Sequence, residues 1–183
     1  MYSRPSLISR GIACLIVATL STVSTPAFSG SRDKAFFEQV AGSWKGPGEI
    51  VAGKYKGTKF NCDLTGTASE KKAAGVTLDG FCRVGVFRQP MKAVITQAGN
   101  SYTGQFLDGG EGKGVNIVSG NVAKDKIVVG INRKKLNGAM IARMQNANTL
   151  NVTISVKVEE TMVPVIGLSL NRQVDNIAVG SIQ

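Results

Sequence analysis

From Asn151 to Glu159 apolar and polar residues alternate without a break. Val152, Ile154, Val156 and Val158 fall on one side, Thr153, Ser155, Lys157 and Glu159 on the other. Period-two alternation marks a strand with one face in a core and the other in water. Weaker versions of the pattern occur at residues 44–51, 59–65, 76–87, 92–98, 102–107, 115–119, 126–132, 139–145 and 163–172. Together they predict about ten strands at the spacing of antiparallel all-β folds. Turn residues divide them at Gly99-Asn100, Asp108-Gly109-Gly110, Gly120-Asn121, Lys124-Asp125 and Asn146-Ala147-Asn148. Before the strands, Ser31 can cap a short helix whose Ala35, Phe36 and Val40 share one side, ending at Ala41-Gly42.

A meander of this length leaves two unpaired edges unless it closes. The expected fold is therefore all-β: an antiparallel up-and-down β-barrel of about ten strands, with the short N-terminal helix plugging or flanking one end. Phe60, Cys62 and Leu64 share one parity, and Val76, Leu78, Cys82, Val84 and Val86 share another. Both sets are expected to face inward, which brings Cys62 and Cys82 together on neighbouring strands. An outer-membrane barrel would need an outward apolar band between aromatic girdles. One Trp and three Tyr are too few for that, and the alternate positions carry Lys, Asp, Thr, Gln and Arg, so the barrel is not expected to span a membrane.

The first residues point to a compartment. Arg4 and Arg10 precede an uncharged apolar run at 11–23, and Ala27-Phe28-Ser29 places small residues at the −3 and −1 positions of a cleavage site. This is the order of a secretory leader, and its apolar run is too short to cross a bilayer. The expectation is a leader over residues 1–29 and a single domain over 30–183, exported to the periplasm or secreted. Gly11 and Arg10 speak against lipidation of Cys14. Losing Arg4 and Arg10 lowers the net charge from +10 to +8. A chain this basic favours anionic envelope partners such as acidic polysaccharide or lipid head groups. The cations are scattered, however, and the tightest cluster, Arg133-Lys134-Lys135, reads as a solvated turn, so no specific nucleic-acid site is expected. Cys62 and Cys82 remain as an even pair suited to a disulfide in an oxidising compartment. The alternatives are two buried thiols or, less well supported, a metal site. The chain contains no histidine, which closes off Ser-His-Asp and Cys-His catalysis and His-ligated zinc or haem.

Gly42-Ser43-Trp44 followed by Gly46-Pro47-Gly48 stands directly after the helix, at the head of the first strand. This Gly-x-Trp motif resembles the start of calycin barrels: lipocalins, fatty-acid-binding proteins and the nitrobindin-like proteins, whose Gly-x-Trp-x-Gly-x-Gly form is nearest. The resemblance implies that Trp44 closes one end of the barrel and that Arg172, on the last strand, packs across its indole. Nitrobindin-like proteins hold haem through a histidine, so haem is not implied for this chain. The cysteines also stand elsewhere than in secreted lipocalins.

Other motifs are weak. In Gly109-Gly110-Glu111-Gly112-Lys113-Gly114, Leu107 replaces the first glycine of a phosphate loop and Gly114 its Ser/Thr, which leaves a glycine-rich hairpin turn. Asn151-Val152-Thr153 matches a glycosylation acceptor but begins a strand. Asp33, Glu38, Asp108 and Glu111 show no recognisable pairing, so no catalytic residue, metal or cofactor is expected. The expected role is a non-enzymatic envelope protein binding a small apolar or amphipathic ligand inside the barrel. The candidate interior residues are Val76, Leu78, Ile95, Tyr102, Phe106, Val129 and Ile154. The alternative is an interaction protein, a protease inhibitor or envelope-stabilising factor, acting through loops, a cationic surface and a free N-terminal helix.

Overall fold

Alternation becomes strand pairing throughout the chain. The computed structural model describes residues 29–107 and 114–174. Helix α1 (Ser29–Val40) leads into β1 (Gly42–Ile50), β2 (Lys59–Ala68), β3 (Gly75–Val84), β4 (Phe87–Ala98) and β5 (Ser101–Leu107). There follow β6 (Val115–Ala123), β7 (Lys126–Arg133), β8 (Leu136–Asn146), β9 (Thr149–Val158) and β10 (Thr161–Gln173). Each strand pairs antiparallel with its neighbours in sequence, and β1 also pairs with β10, so the sheet closes and no edge is left. Among the described residues the fold is the expected ten-stranded barrel with one short helix. Among the described residues no helix is long and apolar enough to cross a membrane.

Tight turns set the register. The loops Gly85-Val86, Gly99-Asn100, Lys124-Asp125, Lys134-Lys135 and Glu159-Glu160 join directly paired strand ends. In each of them the first loop residue has a positive φ. Such turns twist in the same sense as the strands they connect. Lys124, Lys134 and Glu159 take this conformation without being glycine.

Several expectations shift. The 76–87 strand is two: Gly85 turns the chain, and Phe87 begins β4. Val84 and Val86 are therefore hairpin residues, 44% and 92% exposed, and not inward-facing. Gly120-Asn121 is no turn but lies within β6, which carries a register shift between Ile117 and Ser119. A Cβ on Gly120 would stand 2.8 Å from Tyr102 and 2.9 Å from Val129, so the glycine is there for close packing. The described helix runs from Ser29, so Ser31 lies within it and does not cap it, and its buried side is Asp33, Phe36, Phe37 and Val40, with Ala35 exposed. The predicted leader up to residue 28, Asp108, Glu111 and the glycine-rich 109–113 turn lie outside the described residues.

Inward-facing residues build one core, with Trp44, Ile117, Ile127, Val129, Leu150 and Leu170 almost wholly shielded from solvent. The strand directions sort the loops into two sets. The turns after β2, β4, β6 and β8 share the end where α1 sits, and those after β1, β3, β7 and β9 share the opposite end, the mouth.

Candidate interior site and the closed end

The helix brings its own problem, since its last carbonyls have no partners within the helix. The barrel supplies them. Trp44 Nε1 donates to Val40 O at 2.8 Å, Arg172 Nη1 to Ala41 O at 2.7 Å and Arg172 Nη2 to Gln39 O at 2.5 Å. Arg172 Nε also donates to Ala147 O at 3.0 Å in the β8–β9 turn. Positive charge at a helix C-terminus is favourable in itself. Trp44 and Arg172 are register partners across the β1–β10 seam, and the guanidinium lies 4.3 Å from the indole centre. That cation–π contact is worth up to about 2 kcal/mol.

Gly42 makes the arrangement possible. Its φ is +124°, and a Cβ there would stand 2.4 Å from Arg172 Nη1. Glycine alone satisfies both the helix exit and the approach of the guanidinium.

Beneath the helix, Tyr102 Oη donates to Asp33 Oδ2 at 2.7 Å. Asp33 is 8% exposed and is the one polar or charged residue in the core among those described. Burial, with the Asp33 bond and charge added, pushes the Tyr102 phenol well above its usual pKa of 10.0. Phe36 and Phe37 meet edge to face, and Phe37 tilts against Tyr102 at 5.5 Å. The helix is thus a plug held by a salt-like cap, an aromatic cluster and a buried hydrogen bond. The free N-terminal segment of the interaction-protein reading would have to give up all three.

Above this plug lies a cavity of about 130 Å³. Phe36, Phe37 and Val40 form its floor, while Phe60, Met91 and the Cys62–Cys82 disulfide line its wall toward the mouth. Cys62 and Cys82 are direct cross-strand partners on β2 and β3 and are bonded to one another. The lining is apolar apart from Lys92, which is exposed and ion-paired to Asp79 at 3.5 Å. Of the predicted interior residues, Val76, Leu78, Ile95, Phe106 and Ile154 line this space. Tyr102 and Val129 do not: the first is turned to Asp33 and the second is packed against Gly120. The floor residues escaped the strand pattern because they belong to the helix. Phe36, Phe37 and Val40 at i, i+1 and i+4 were the available signal.

No protein-family model and no curated protein sequence matches the chain. Solved structures do. Rv2717c from M. tuberculosis superposes with a TM-score of 0.56 at 13% identity, over 78% of this chain and 98% of that one. The S-type phycobiliprotein lyase CPES from Guillardia theta gives a TM-score of 0.50 at 13% identity, over 81% and 99%. At such identity the likeness concerns the fold alone, a closed antiparallel β-barrel.

Proposed function

We infer that the protein is an exported, non-enzymatic binding protein that holds a small apolar molecule, or the apolar segment of an amphipathic one, inside the barrel. The carrying observation is the cavity between the helix plug and the disulfide. Engineered apolar cavities of about 150 Å³ stay dry and accept benzene or xenon, so the present space suits a ligand of that size. A longer ligand requires Phe60 or Met91 to move toward the mouth. Export is supported by the leader pattern of residues 1–29 and by the disulfide. The non-enzymatic reading is supported by a lining that, among the described residues, presents no carboxylate, hydroxyl or free thiol to a bound molecule. The similarity of the fold to a protein named a phycobiliprotein lyase is compatible with a barrel that takes a ligand.

The test combines native mass spectrometry of gently purified protein with thermal shifts in benzene and in hexanol. The variant is Ala142→Leu, which fills the cavity from β8. A co-purifying adduct, or a rise in Tm lost in the variant, supports the reading. A clean mass together with equal responses of wild type and variant overturns it.

A further inference from the structure

The mouth carries a feature that the interior does not explain. The β3–β4 hairpin reads Arg83-Val84-Gly85-Val86-Phe87-Arg88, an apolar tip between two arginines. Val86 is 92% exposed and Phe87 78% exposed. Gly85, at φ +56°, turns the chain in two residues, so Val84 pairs with Phe87 and Arg83 stands directly opposite Arg88. Like charges at directly paired positions repel. Here both guanidiniums lie against the Phe81 ring, at 4.8 and 3.7 Å from its centre. Among the described residues neither arginine has an ion-pair partner.

The other described loops of the mouth repeat the composition. Tyr55 is exposed between Lys54 and Lys56, and Leu136 follows Lys134 and Lys135. Val158 and Met162 are exposed on either side of the β9–β10 turn. Of the two acids in that turn, Glu160 is paired with Lys157 at 3.0 Å.

We propose that the mouth of the barrel is a docking surface for an anionic lipid membrane, with the β3–β4 hairpin as its anchor. Arg83 and Arg88 lie two to three residues behind the tip, about 7 Å along the strand from Val86 to Arg88. An apolar face lodged at the headgroup–acyl boundary enters to a depth of about 5–10 Å. Val86 and Phe87 at that depth leave both guanidiniums at the phosphates, where a pair of cations is favoured. A second copy of the chain is a poorer occupant, because a two-fold contact through this hairpin sets arginines against arginines. Docking of this kind requires nothing of the cavity and stands whether or not the barrel holds a ligand.

The experiment is vesicle flotation of the disulfide-bonded protein recovered from a secreting bacterial host, at about 0.1 M salt. Vesicles of equimolar phosphatidylcholine and phosphatidylglycerol are compared with pure phosphatidylcholine. Wild type should float with the anionic vesicles alone. Arg83→Gln with Arg88→Gln should weaken partition about thirty-fold, and Val86→Ser with Phe87→Ser at least about tenfold. All four side chains are exposed, so circular dichroism and thermal transitions should not move. Lys71→Gln with Lys72→Gln, which removes equal charge beside the closed end, should leave flotation unchanged. Val86→Trp should emit further to the blue when anionic vesicles are added, against the constant signal of buried Trp44. The proposal is overturned if wild type does not float, or if the Lys71/Lys72 pair matters as much as the arginines. It is equally overturned if Val86→Trp emission does not change. Displacement from vesicles by duplex DNA through the same arginines would assign the surface to nucleic acid. A dimer that the Val86/Phe87 variant dissolves would assign it to self-association.

Discussion

Arg172→Ala tests the closed end most directly. The substitution removes the guanidinium from the Trp44 face and from three carbonyls, those of Gln39, Ala41 and Ala147. The stack contributes about 0.5–2 kcal/mol, depending on its desolvation. The bond to the part-buried Ala41 carbonyl contributes about 1.5 kcal/mol, as hydrogen bonds to charged groups do. The Gln39 and Ala147 bonds are exposed, and water replaces them at little cost. The total is about 2–3.5 kcal/mol, or a fall in Tm of about 4–14 °C for a domain of this size. Arg172→Lys keeps the charge but not the planar fork, so it should lose about half as much. Urea unfolding of the disulfide-bonded protein, followed by circular dichroism and Trp44 emission, gives the stability. Hydrogen exchange across residues 33–40 shows whether the helix has come loose. A double-mutant cycle with Trp44→Phe should give a coupling of about 1 kcal/mol. The reasoning is refuted if Arg172→Ala stays within about 1 kcal/mol of wild type while helix protection is unchanged.

Four further outcomes follow from the same geometry. Tyr102→Phe leaves Asp33 buried without its donor and should cost about 1–3 kcal/mol at about pH 8, most of it recovered when Asp33→Leu is added. Because the folded phenol titrates above the unfolded one, the folded state keeps its proton as pH rises past about 10 while the unfolded state loses it. Wild-type stability should therefore fall above about pH 10 more steeply than that of Tyr102→Phe, as read from urea midpoints at several pH values. Replacing Cys62 and Cys82 with serine opens a loop of 20 residues and should lower stability by about 3 kcal/mol in chemical denaturation, with loss under 1 kcal/mol counting against it. Lys124→Gly relieves a left-handed residue in the β6–β7 turn and should raise stability by about 0.5–1 kcal/mol in thermal melts.

Local pattern determined much of this molecule. Alternation over 151–159 and its weaker repeats specify strands, because a strand's two faces are set by neighbouring residues alone. Pairs such as Gly99-Asn100 and Lys124-Asp125 specify where those strands reverse. The same locality explains the errors. Val76 to Phe87 keeps its apolar parity straight through Gly85, so only the paired register reveals the hairpin. Gly120-Asn121 looks like a turn until Tyr102 is seen to occupy the space above it. What lies far apart in sequence was decided by closure. The β1–β10 seam brings Trp44 to Arg172, docking of α1 brings Asp33 to Tyr102, and the sorting of loops gathers the Arg83–Arg88 tip with Tyr55 and Leu136. Nor does any pattern tell that inward side chains at the helix floor stop short of filling the space above them. That depends on the radius of a closed ten-stranded sheet, a property of all the strands together and of no segment alone.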